Sequence, residues 1–149
     1  MKGKFIYLLP LLLLLAVACS KNYYNPDTDP NKKGYPLGNF TGNFVSIHKK
    51  YKPTRYDTTT AALKLTLSTN TGFNVAGDTA TIHAGSYGSF SEDFVNMAFY
   101  DITYPIIYKA KKTHLSGFYT YTYDGVNLKI ASGMQSDTLT NFYYFTKTN

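Results

Sequence analysis

Ala61-Ala62-Leu63-Lys64-Leu65-Thr66-Leu67-Ser68 is the stretch that decides the fold class. Ala61, Leu63, Leu65 and Leu67 alternate with Ala62, Lys64, Thr66 and Ser68. Successive side chains of an extended chain point to opposite faces, so a period of two buries one face and leaves the other wet. The stretch therefore predicts a half-buried antiparallel strand. The composition agrees: the chain holds 19 Thr, 15 Tyr and 10 Phe in 149 residues. β-Branched and aromatic side chains suit a pleated surface better than a helix. From Asn39 onward no segment reads as a long amphipathic helix.

Strands are predicted near 40–51, 61–69, 72–76, 79–84, 86–90, 94–102, 115–123, 126–132 and 138–147. One or two of these are expected to fuse or fail, leaving about eight. Asp124-Gly125, between two alternating runs, is the clearest hairpin turn, because Gly accepts positive φ. Asn70-Thr71-Gly72 marks another turn, and Gly85 and Gly88 around Tyr87 suggest a bulge or corner. Ser91-Glu92-Asp93 could cap a short helix, but Pro105 and the short run before it favour a strand over 94–102. Many short strands at regular spacing imply an all-β domain: an antiparallel barrel of about eight strands, with a β-sandwich as the alternative.

The first residues read as an address. Lys2 and Lys4 precede an apolar run from Phe5 to Ala18, only 14 residues long. A spanning helix needs roughly 20, so residues 1–18 are expected to be a signal peptide. Residues 19–38 carry Pro26, Pro30 and Pro36 among Asn, Asp, Lys and Gly, the composition of a flexible tether. Residues 39–149 form the single β domain. The chain has one Cys, which excludes an internal disulfide and a multi-cysteine metal site.

That cysteine is Cys19, and Ala16-Val17-Ala18-Cys19-Ser20 resembles the lipobox of bacterial lipoproteins. The commonest lipobox has Leu where this chain has Ala16. The resemblance implies cleavage before Cys19, lipid on its thiol, and attachment to the cell envelope at the outer membrane. Some surface lipoproteins of Bacteroidota carry acidic residues soon after the Cys; here none appears before Asp27, so the face of the membrane stays open. Gly38-Asn39-Phe40-Thr41-Gly42-Asn43-Phe44, Ala84-Gly85-Ser86-Tyr87-Gly88, Leu115-Ser116-Gly117-Phe118-Tyr119-Thr120-Tyr121, Tyr123-Asp124-Gly125-Val126-Asn127-Leu128-Lys129-Ile130 and the aromatic run Phe142 to Phe145 resemble the small lipocalin-like lipoproteins of that lineage. The resemblance implies a lipocalin-like barrel and supplies no catalytic residues.

Patterns that carry chemistry are few. His48, His83 and His114 have no short spacing that would pair them as metal ligands. No Gly-x-Ser-x-Gly elbow, metalloprotease helix or phosphate loop occurs. Glu92 and Asp101 are the only acids expected near strand interiors, and nothing in the sequence brings them together. No enzyme, cofactor or metal is expected. Without Lys2 and Lys4 the chain has 13 basic and 9 acidic residues, in clusters such as Lys49-Lys50-Lys52. That is a solvated surface, with no nucleic-acid recognition motif. Asp57-Thr58-Thr59, Asp78-Thr79-Ala80 and Asp137-Thr138-Leu139 resemble O-glycosylation sites of exported Bacteroidota proteins, and read equally as turns entering strands.

The tyrosines are the most informative feature. Tyr119, Tyr121 and Tyr123 fall on one strand face, with Phe118, Thr120 and Thr122 on the other. Two binding readings follow. An apolar or amphipathic ligand inside the barrel would touch side chains such as Leu63, Leu65, Phe118 or Leu128. A glycan or a partner protein would instead meet exposed tyrosines, with Tyr119, Tyr121 and Tyr123 the first candidates. The remaining alternative is core packing and a purely structural envelope role.

Overall fold

The computed structural model describes residues 34–105, 110–132 and 138–148. Eight strands follow one another: β1 (Gly38–Tyr51), β2 (Thr54–Ser68), β3 (Gly72–Gly77), β4 (Tyr87–Glu92), β5 (Asn96–Asp101), β6 (Gly117–Tyr123), β7 (Asn127–Ser132) and β8 (Leu139–Thr148). Each pairs antiparallel with the next, and β8 pairs with β1, closing the barrel. The fold is all-β, as the alternation predicts, and closure decides for the barrel over the sandwich. The segment expected to be a signal peptide, and most of the expected tether with Cys19, lie outside the described residues.

The alternating faces resolve as follows. Ala61, Leu63, Leu65 and Leu67 point inward from β2 and meet Phe40, Phe44, Phe73, Val75, Met97, Phe99, Leu128, Ile130, Tyr143 and Phe145. Phe73 and Phe99 meet edge to face with centroids 5.0 Å apart, and Phe99 meets Tyr119 at 5.7 Å. An eight-stranded barrel is just wide enough for side chains to fill, and aromatic rings do much of the filling here. Gly42 makes this closure possible. A Cβ there would stand 1.9 Å from the Tyr144 carbonyl oxygen on the neighbouring strand.

Two segments differ from the sequence reading. The pattern over residues 79–84 predicts a strand, but they form a turn-rich loop with one isolated bridge, His83 to Thr113. Conversely β2 starts at Thr54, not near 61. Its first half pairs with β1 beyond the point where β3 ends, and neither of its faces is buried there. With no core to face, Thr54–Thr60 shows none of the polar–apolar alternation that marks a strand.

The two barrel ends differ. Short turns join the strands at the end where β1 begins. Asp93-Phe94-Val95-Asn96 and Asp124-Gly125-Val126-Asn127 are built alike. In the first, Asp93 Oδ1 accepts the Val95 and Asn96 amides at 2.8 and 2.6 Å. In the second, Asp124 Oδ1 accepts those of Val126 and Asn127 at 2.9 and 2.7 Å. Such Asx bonds fix a turn locally. They also hold the Asp93 carboxyl below its usual pKa, through the Val95 amide first and Asn96 next. The opposite end carries the long β3–β4 and β5–β6 connections.

Candidate functional site

Those two connections close the mouth. Ala84 N–H donates to Thr113 O at 2.8 Å, and Thr113 N–H returns a bond to Ile82 O at 2.9 Å. Lys112 Nζ adds a bond to Thr79 O at 2.7 Å. This lacing drives His83 into the barrel, where it is fully buried against Phe44 at 4.9 Å. Its Nδ1 lies 2.6 Å from the Ala84 carbonyl. A carbonyl only accepts, so Nδ1 carries the proton and Nε2 accepts from the Tyr143 hydroxyl at 3.0 Å. Burial pushes the imidazole pKa down to about 4, only partly opposed by the Ala84 bond. It pushes the Tyr143 and Tyr119 phenols up for the same reason. His83 is therefore a neutral plug.

Asp101 and His114 brace the same mouth. The Asp101 side chain is fully buried, and its Oδ2 accepts His114 Nδ1 at 2.6 Å. That bond ties the start of the β5–β6 connection to its end. Asp101 Oδ1 accepts the Thr103 amide and hydroxyl at 2.7 and 2.6 Å, which fixes the first turn of the connection. Among the described residues no three His, Cys, Asp or Glu side chains converge to hold a metal ion.

The sequence-selected residues separate. Leu63, Leu65 and Leu128 are at most 2 % exposed and belong to the packed core. Tyr119 is buried with them, and its hydroxyl donates to Ser116 O at 3.1 Å. Tyr121 and Tyr123 are half-buried, with hydroxyls spent on the turns at Asp93 O (2.8 Å) and Gly125 O (2.7 Å). Burial and the neighbouring Glu92 and Asp93 push the Tyr121 phenol up to about 12. The tyrosine face of β6 is thus the inner one. Phe118, on the outer face, is 67 % exposed.

Phe118 is one of several apolar side chains on the outer wall. Tyr87, Tyr100, Ile102 and Tyr104 are all exposed as well. Register explains the grouping. Phe118 lies opposite Ala98, two residues from Tyr100 on the same face. Ile102 N–H donates to Tyr87 O at 3.1 Å, placing those residues side by side. A groove of about 620 Å³ runs between Tyr100, Ile102, Tyr104 and Phe118. A second, of about 920 Å³, follows the seam where β3 and β4 pair only at Phe73–Gly88 and Asn74–Tyr87. Thr66, Ser68, Asn70, Thr71, Asn74, Ser89 and Ser91 line it with Tyr87 and Ile102, and Glu92 is its one ionisable carboxyl among the described residues. The two grooves meet at Ile102. The expectation that Phe118 lines the barrel interior is not met, because it shares the outer face with Tyr100, and sequence reasoning does not single out Tyr87, Tyr100 or Tyr104 at all. Their one signal is the placing of large apolar residues on the strand face opposite the core set.

The chain matches no known protein family, no characterised protein and no solved structure.

Proposed function

We propose that this is a non-enzymatic, lipid-anchored cell-envelope protein that recognises a neutral glycan on the outer wall of its barrel. The observation that carries the reading is the pairing of two surfaces across Ile102. One is a groove lined by hydroxyl and amide side chains; the other is a row of exposed aromatic rings. Sugars present both alcohols that hydrogen-bond and apolar ring faces that cover aromatics. Apolar side chains gathered into a contiguous exposed patch, rather than scattered singly, mark an interaction surface. The inner leucines are taken up in core packing, so an apolar ligand inside the barrel has less support. Anchorage rests on the sequence around Cys19.

The test is a screen of the full chain, in detergent, against neutral and acidic polysaccharides by affinity electrophoresis. Binding to a neutral polymer, weakened about tenfold by Tyr100→Ala or Tyr87→Ala, is the expected result. Retention of a co-purifying lipid that Tyr100→Ala does not affect, with no glycan bound, would favour the interior reading. Detection of a Cys19→Ser chain still in carbonate-washed membranes would overturn the anchor.

A further inference from the structure

We propose that the protruding half of β2 is a self-recognition edge, through which two copies of this chain pair antiparallel about Tyr56. β1 covers one side of this segment from Thr54 to Ala61. On the other side β3 ends opposite Leu63, and Asp78 N–H caps Ala62 O at 2.8 Å. Backbone groups of a strand point alternately to its two edges. Because Ala62 O faces the β3 side, the N–H and C=O groups of Tyr56, Thr58 and Thr60 also face that side. Among the described residues nothing accepts or donates there, and all three side chains are exposed. An open edge of β-branched residues is a template for another strand.

The sequence of the edge selects both occupant and register. In an antiparallel pair of identical strands, only registers that place outward-facing residues opposite each other form hydrogen bonds. Centring on Thr58 would set Thr54 opposite the partner copy's Ala62 position, which Asp78 already caps. Centring on Asp57 sets two aspartates face to face, and centring on Arg55 sets two arginines face to face; both are repulsive. Centring on Tyr56 places Arg55 of each copy opposite Asp57 of the other, twice by symmetry. These fall at non-hydrogen-bonded positions, where opposite side chains approach most closely. Arg55 Nε already stands 3.4 Å from Asp57 within one chain, so both charges lie on the same face. The edge is self-complementary in charge as well as in hydrogen bonding.

Single cysteines placed at each position from 54 to 60 of the full chain, in membranes under mild oxidation, test the register. The parent chain, with no cysteine on the edge, controls for Cys19. Covalent dimer is expected to peak with Tyr56→Cys. Adding Thr58→Pro removes an outward N–H while sparing the bonds to β1, which the odd-numbered residues make. It deletes two hydrogen bonds per dimer and should weaken association about thirtyfold. Arg55→Asp or Asp57→Arg alone should lower cross-linking, and the double exchange should restore it. Unchanged circular dichroism and melting identify variants whose barrel is intact. No cross-link at any position, a peak elsewhere than residue 56, or indifference to Thr58→Pro in a folded barrel would overturn the proposal.

Discussion

Acid should loosen this barrel through one side chain, His83. Its imidazole is fully buried, donates from Nδ1 to Ala84 O and accepts at Nε2 from Tyr143. Its pKa falls from 6.5 to about 4 on folding. The unfolded chain therefore takes up a proton as pH drops through 6.5, whereas the folded chain refuses it until about pH 4. Stability is full above pH 6.5 and declines between these limits, levelling off below them. At about 1.4 kcal/mol per pKa unit the loss is about 3 kcal/mol, a large share of a small domain's stability. Urea midpoints between pH 7.5 and 4 measure it, and an unchanged slope of free energy against urea would show that compactness is preserved. His83→Phe keeps an aromatic plug without the titration. It should lower stability at pH 7 and flatten the decline between pH 6.5 and 4. The exposed Asp57 and Asp93 have lowered pKa values, held down mainly by the Lys50 hydrogen bond and the Val95 amide respectively. Their contribution is therefore lost only below the histidine window. Equal declines in the two proteins would refute the reasoning.

Other expectations follow from named contacts. Tyr143→Phe strips His83 of its buried donor and should cost about 1–3 kcal/mol in denaturant unfolding. Tyr121→Phe loses a bond to a wet turn and should cost about 1 kcal/mol or less by the same measurement. Gly42→Ala forces a methyl onto the Tyr144 carbonyl, and should lower the melting temperature sharply or leave β8 unprotected in hydrogen exchange. Asp93→Ala and Asp124→Ala each remove one of two matching turns at separate hairpins. Their costs, about 1 kcal/mol each, should add in the double variant.

Legibility follows the core. Where a strand has one wet and one dry face, as in Leu63–Lys64–Leu65, alternation shows it. The Tyr119–Tyr121–Tyr123 face is equally visible in the sequence, but its direction is not. Which face of an aromatic strand turns inward depends on partners far along the chain, and Phe118 opposite is as apolar as the tyrosines. The first half of β2 escapes a sequence reading because nothing dry lies against it. Thr81-Ile82-His83-Ala84 looks like a strand because Ile82 and His83 are indeed drawn toward the core, but by a loop. Asp-x-Val-Asn occurs at both Asp93 and Asp124, and that repeat by itself marks the two turns as a matched pair. The outer wall stays hidden because exposed aromatics read like core residues until the register sorts them.

Seven of the eight strand pairings join neighbours in sequence; only β1 with β8 spans the domain. Every other hairpin is available to the chain as soon as its two strands exist. The last pairing requires both ends to meet across the whole domain, and loop-closure entropy makes that the least probable encounter. It must also arrive in one register, because a slip of β8 by one residue would turn Tyr143 and Phe145 outward while β2 still held Phe44 facing inward. The residue that holds His83 thus enters the fold with the stave that shuts the barrel. A newly made chain lacking β8 is an open sheet with two bare edges. Its wall closes, and its histidine gains a buried donor, only at the moment the C-terminal strand docks.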